Sequence, residues 1–508
     1  MQSTRELFGD FFCKEYGVDP DAACEIEFVD AEELLVPRRL DVIGKILYLE
    51  ALQSGRNRQY AEHIYASGIA AMTSGSFVEG GQEDSKNSLE KYEQSFAALE
   101  KSVREAGFDA QHPVPVGEDN AILDGAHRLA VCYVHGQKVP IVRFAGIRVC
   151  NDAEFLKKSY MTPEDVEYLV TEYCKRKADV HVICIWPKAK DEELRARADA
   201  LIRENCSVVY QKDITFTRNG LRNLIQQIYW TQDWMGDAQS HFAGAMVKAD
   251  ECWEAEGKAR FYVVECDSTE ALTALKGEMR EWFCVDKASI HSTDTWKECM
   301  DLVHLILNAN SLHLMNLGMP DKYVELIRLL EEYKLGILET GDDLEDYLVD
   351  SSTVMGLYGI RETGDLDYLC GKTSHASFSN KLIEQNTRNV ECHSQSPDAL
   401  IYNPNNHLYY NQVKVITLPV LIDYKSNMKR DNENDRKKDQ ADIRLIESFL
   451  RQSFSLSDWW FRRMYELRKV YMRMDNRVHD IVRRYPAFHE VLRRIKYGIH
   501  GKKPPVIK

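Results

Sequence analysis

Ser351–Leu369 reads SSTVMGLYGIRETGDLDYL, and the placing of the last third of the chain turns on it. A small-residue segment holding Gly356 and Gly359 leads through Arg361 to Leu366–Leu369, which reads as a strand. Asp365 and Asp367 are two apart on that strand, so they share one face. Two carboxylates on one face suit one or two Mg2+ ions, which neutralise a triphosphate and activate an attacking oxygen. Arg361 is placed to steady a phosphate. An exposed strand also carries paired acids for solubility, so D-x-D alone fixes no chemistry.

Outward from this stretch, residues 336–457 read as one unit. Leu344–Tyr358 is expected to be helical, Leu400–Tyr402 and Val413–Thr417 to be strands, and Asp439–Phe454 to be a helix. Lys425 and the run Arg436, Lys438, Asp439, Asp442 follow downstream. This order resembles the polymerase-β-type nucleotidyltransferase superfamily in its minimal bacterial form, over residues of about 336–450. The resemblance implies Mg2+ and a nucleoside triphosphate as cofactors. It implies Asp365 and Asp367 as catalytic metal ligands, and Arg361 and Lys425 as phosphate contacts. Asp398, just before an expected strand, is favoured over Glu391 as a third catalytic carboxylate. The family's adjacent Gly-Ser is missing, since Ser351, Ser352, Gly356 and Gly359 are spread out.

A second motif lies at Pro113–Ile141, PVPVGEDNAILDGAHRLAVCYVHGQKVPI. It reads as strands at Pro113–Val116 and Ala121–Leu123, a helix over Gly125–Val134, and a strand at Val139–Phe144. Gly125 permits a tight turn, the helix start offers free N–H groups, and Arg128 adds a cationic fork. The plain alternative is that Asp124 caps the helix and Arg128 pairs with a surface acid. Asp124, Gly125, His127, Arg128, Gly136 and Val139-Pro140 resemble the ParB/sulfiredoxin-like domain, closely over about 30 residues and loosely over 20–150. That resemblance implies Asp124, Gly125, His127 and Arg128 as nucleotide contacts. Its kinase members add an acid near the domain start, which here is Glu32 or Glu33.

The chain has 508 residues, 65 Lys and Arg against 80 Asp and Glu, and a net charge of −15. Hydrophobic residues make up 44%, ample for folded cores. The length and composition shifts divide it into 1–150, 151–335, 336–457 and a basic tail, 458–508. The middle stretch carries a near-continuous apolar run, Val180–Trp186, typical of a buried strand whose end suits a ligand. His304, Asn308, Asn310, Ser311 and His313 form a polar cluster that suits either hydroxyl recognition or satisfied core positions. Lys276 and Arg280 are anion contacts or plain surface cations, and Tyr229, Trp230 and Trp234 are an aromatic platform or core. The 13 cysteines show no CxxC spacing, which excludes a zinc ribbon or disulfide framework.

The expected fold is therefore α/β and α+β multidomain: ParB/sulfiredoxin-like, α/β middle, nucleotidyltransferase-like. The expected activity is Mg2+-dependent nucleotidyl or phosphoryl transfer from a nucleoside triphosphate to a hydroxyl acceptor. Bacterial surface-polysaccharide assembly is an expected setting, by analogy alone. The alternatives are a ParB-like small-molecule kinase and a non-enzymatic, nucleotide-gated ParB-like DNA-binding regulator. The acidic balance argues against DNA. The N-terminal residues lack a secretory pattern, so the cytoplasm is expected. The tail carries +10 from Trp459 onward and interleaves aromatics with Arg, which suits an anionic membrane surface or a polyanionic polymer.

Overall fold

The computed structural model describes residues 2–78, 86–428 and 433–452. The tail, 458–508, and part of the loop expected at Gly81–Glu93 lie outside the described residues. The chain is a mixed α/β protein with three separate sheets.

The first sheet holds β1 (Glu27–Asp30), β2 (Val114–Val116) and β3 (Lys138–Arg143) in the order β1-β3-β2. β3 runs antiparallel to β1 and parallel to β2. Val114, Val116, Val139 and Ile141 are fully buried and form its inner layer. The strand expected at Ala121–Leu123 is reduced to a single bridge between Val116 and Ile122. The helix Ala126–Val134 follows Gly125.

The second sheet holds β4 (Val180–Ile185), β5 (Ser207–Ile214), β6 (Ala259–Glu265) and β7 (Ile290–Ser292), ordered β5-β6-β4-β7. Every pairing is antiparallel. β4 explains its own unbroken apolar run. Val180, Val182 and Cys184 pack into one core, while Ile183 and Ile185 face a second, smaller core on the other side. The ligand-binding rule for ends of parallel strands therefore does not apply to β4.

The third sheet is mixed. It holds β8 (Tyr347–Val349), β9 (Leu366–Cys370), β10 (Ile383–Gln385), β11 (His407–Tyr410) and β12 (Val413–Ile416), ordered β10-β9-β8-β12-β11. β9–β10 and β8–β12 are parallel; β8–β9 and β11–β12 are antiparallel. Two expectations fail here. The stretch Leu344–Tyr358 is not one helix: Leu344–Asp346 is a 3₁₀ turn, Tyr347–Val349 is enclosed as the central strand, and only Thr353–Leu357 is α-helical. Leu400–Tyr402 is helical, within Pro397–Tyr402, because Ser396 caps Ala399 N and Pro397 fills the first turn. The final helix, Glu433–Gln452, starts before the expected Asp439.

One apolar core runs from Ala31 to Ile446, through all three sheets. Among the described residues no helix is long and apolar enough to cross a membrane.

Candidate functional site

The chain leaves β8 at Asp350, turns through Ser351 and Ser352 into the helix Thr353–Leu357, and re-enters the sheet at β9. This short return puts the two strands side by side. Leu366 and Tyr368 of β9 point into the core, so Asp365 and Asp367 share the other, more open face. The parallel register of β9 and β10 pairs Glu384 with Asp367, which places Glu384 on that same face. Burial pushes the Asp367 carboxyl up to about 6, and the charges of Asp365, Asp350 and Glu384 add to the rise.

Asp350 is fully buried and stands beside Asp367, at the end of the neighbouring strand β8. His393 Nε2 lies 2.9 Å from its Oδ1, and Asn386 Nδ2 donates to its Oδ2 at 2.8 Å. The His393 ring stacks on Tyr424 at 4.4 Å between centroids. Asp350, Glu384 and His393 did not stand out in the sequence. Asp350 carries a local signal, an acid directly before Ser-Ser, whereas Glu384 is recognisable only through strand register.

Arg361 and Lys425 meet at Asp442, and each is engaged by a carboxylate. Arg361 grips Asp442 through two bonds of 2.6 and 2.7 Å. Lys425 Nζ lies 2.9 Å from both Asp439 and Asp442. Burial works to raise the Asp442 carboxyl, and the hydrogen bonds from Arg361 and Lys425 outweigh it, so its pKa falls. Asp365 is close enough to add to the upward shift of Arg361, whose main cause is its bond to Asp442. The cationic pair is thus a neutralised box beside the D-x-D face, not two open phosphate contacts. Arg436 and Lys438 are exposed.

Asp398 lies elsewhere. It sits in the first turn of Pro397–Tyr402 and accepts from the backbone N–H of Asn57 at 2.7 Å. It lines a cavity of about 1350 Å3 beyond the far end of β9, where Cys370, Gly371 and Lys372 also line the wall. Five residues of strand, about 16 Å, separate that end from Asp365. Asp398 is therefore not brought to the D-x-D pair; its helical first turn directs it to Asn57. Glu391 is exposed on a 3₁₀ turn, Val390–Cys392.

The Gly125 turn forms as expected, with φ of +87°. Its cationic fork is turned inward: Arg128 Nη1 donates to the carbonyls of His112 and Pro113 at 2.9 and 3.0 Å. Asp124 is exposed and accepts from Gly125 N. His127 bonds the Tyr65 hydroxyl at 3.0 Å and lies edge-on to Phe96, and burial holds its pKa well below the usual histidine range. These residues close a local fold rather than present a phosphate seat. Nearby, Asp41 is buried between Arg39 (2.8 Å) and Lys45 (3.1 Å). Glu32 and Glu33 begin a 3₁₀ turn, with Glu33 bonded to Asp30 N.

The remaining signals resolve locally. Lys276 pairs with Asp294 at 3.5 Å, and Arg280 donates to the carbonyl of Ile290. Trp230 donates to Glu331 and packs on Phe242. Asn308 and Asn310 donate to carbonyls of Pro404 and His407, Ser311 accepts from Tyr409 N, and His313 bonds Tyr358. All thirteen cysteines are free thiols.

Among the described residues no set of three or more His, Cys, Asp or Glu side chains is grouped to hold a metal alone. A pair of carboxylates still fits Mg2+, which keeps much of its shell as water and substrate phosphate rather than filling a protein cage. Comparisons with protein-family models, curated proteins and solved structures find no match to this chain.

Proposed function

We propose that the D-x-D face of the third sheet carries out Mg2+-dependent transfer of a nucleotidyl or phosphoryl group from a nucleoside triphosphate to a hydroxyl acceptor. The observation that carries this reading is the half-buried Asp367, whose carboxyl is lifted to about 6 by burial first and then by the charges of Asp365, Asp350 and Glu384 gathered around it. Acids gathered on one sheet face with few cations among them are stabilised by a bound cation. When bound, Mg2+ supplies charge neutralisation for the triphosphate and polarises its reacting phosphorus. Asp365 and Asp367 hold the ion. Asp350, beside Asp367, is held by His393 and Asn386 and adds its negative field from there. The Arg361–Asp442–Lys425 box borders the face and keeps its charges balanced in the resting protein.

The inward turn of Arg128 favours this face over the Gly125 turn as the seat of nucleotide binding. The test is calorimetric titration of ATP, CTP, GTP and UTP with Mg2+, on wild type and on Asp365→Asn/Asp367→Asn. Saturable, Mg2+-dependent binding of at least one nucleotide, lost in the double variant, is the expected result. Binding that survives in the double variant, or none with any nucleotide, overturns it.

A further inference from the structure

The cavity that holds Asp398 is enclosed by three distant parts of the chain. They are the turn Gly55–Asn57 with the helix Pro163–Lys175, the segment His304–Asn310, and the end of the third sheet remote from Asp365. Its walls are tied together. Asn57 Nδ2 donates to the Tyr402 carbonyl at 3.0 Å and to the Tyr168 hydroxyl at 3.3 Å. Arg56 reaches across to Asp346 at 3.1 Å. Such bonds make the space part of the fold and not a packing gap, and its volume exceeds that of a typical drug-sized pocket.

Its chemistry narrows the occupant. Eight Asp and Glu line it against four Lys and Arg, so a polyanion meets a repulsive field. His304 and His407 do not change this balance, because burial lowers them to about 4 and about 3 and they stay neutral at pH 7. A purely apolar ligand is equally mismatched. Although apolar surface makes up somewhat more than half of the lining, Asn and Tyr groups, carboxylates and Thr373 set donors and acceptors into it, and desolvating them without replacement is costly. What remains is a ligand rich in hydroxyls, which can donate to carboxylates and accept from amides, with little or no negative charge.

We infer that this cavity is a binding site for a neutral or amine-bearing oligosaccharide of a few sugar units. The site stands independently of the reading at β9, from which the length of that strand separates it. Asp398 is the acceptor for a sugar hydroxyl or an ammonium group, while Asp346 is held in the wall by Arg56 and by the Tyr402 hydroxyl at 2.7 Å. Tyr402 is already braced, with Arg56 and Lys414 at 5.5 and 5.4 Å from its ring, and forms a fixed wall. Thr373 and Asn405, both exposed, sit at the mouth.

The test is ligand-observed NMR and calorimetry with three probes: maltotriose, the trimer of glucosamine, and ATP without Mg2+. Thr373→Trp and Asn405→Trp add bulk at exposed positions, and circular dichroism and melting confirm that each variant folds. The expected result is saturable binding of at least one of the two sugars and none of ATP. At least tenfold weaker sugar binding is expected in both Trp variants, with unchanged sugar affinity in Asp365→Asn/Asp367→Asn. Absence of saturable binding by either sugar at millimolar concentration overturns the inference. So does sugar binding indifferent to both Trp variants, or displaced by ATP.

Discussion

The backbone N–H of Asp350 donates to the carbonyl of Asp367 at 2.7 Å. That bond fixes the exit of β8 against the start of β9 and seats a buried carboxylate beside the more open pair. The arrangement is electrostatically costly, and the cost can be measured.

Asp367→Asn removes one of the crowded charges without changing the side chain's shape. In metal-free buffer the variant is expected to be more stable than wild type by roughly 1 kcal/mol, after allowance for partial solvent screening. Mg2+ should raise the stability of wild type and leave that of the variant unchanged. Urea unfolding with and without Mg2+ reads both effects.

The same carboxyl sets a pH dependence. Its folded pKa, about 6, lies above the ordinary 3.8, so between these values the folded state holds the extra proton. Its contribution to stability is complete below about pH 4 and is lost as pH rises through about 6. Metal binding displaces that proton. Mn2+ affinity should therefore climb from about pH 5 and level off above about pH 7, whereas a flat profile would detach Asp367 from metal binding.

Lys425→Met leaves Asp439 and Asp442 buried with one cation fewer. Because all three side chains are almost wholly enclosed, the loss should be about 3 kcal/mol. A shift of the urea midpoint at unchanged slope would show it.

Gly125→Ala forces a side chain into a left-handed turn and against Arg128, 2.9 Å from the added carbon. A cost of about 1–2 kcal/mol is expected. Arg128→Ala frees two backbone carbonyls and costs about 1–2 kcal/mol. Neither change should alter nucleotide affinity. Calorimetry showing that Arg128→Ala abolishes nucleotide binding would return the nucleotide site to this turn.

His304 and His407 fold with pKa values of about 4 and about 3, below the ordinary 6.5. The unfolded chain takes up their protons first as pH falls. Their contribution is complete above about 6.5 and drains away between there and their folded values. His407→Gln should flatten the acid limb of a stability-versus-pH curve.

Local pattern made much of this fold legible. The apolar run at Val180 marked β4, and D-x-D marked β9 with both acids on one face. Gly125 announced its turn. What escaped depends on partners distant in sequence. The triplet Tyr347–Val349 sits in a helix-like stretch and becomes a strand only because β9 and β12 flank it. Glu384 joins the acidic face through parallel register. Asp398 was misplaced for a local reason, since Ser396-Pro397 is a helix start. Arg128 pairs with the exposed Asp124 at 3.6 Å, the plain alternative the motif allows, and also holds the carbonyls of His112 and Pro113, which residue spacing alone does not reveal.

The bond from Asn57 to Asp398 spans 341 positions. On a translating ribosome those positions take on the order of tens of seconds to appear. Asn57 waits through all of that interval, and Tyr168 and the helix bearing Glu172 through its last two thirds, while Asp398 and Tyr402 do not yet exist. The first half of the chain must then wait with an unfinished polar wall facing water, and a polypeptide stopped before Lys414 never encloses the cavity. Order of synthesis thus becomes a property of this site, and sugar-dependent protection of full-length chains alone would be its signature.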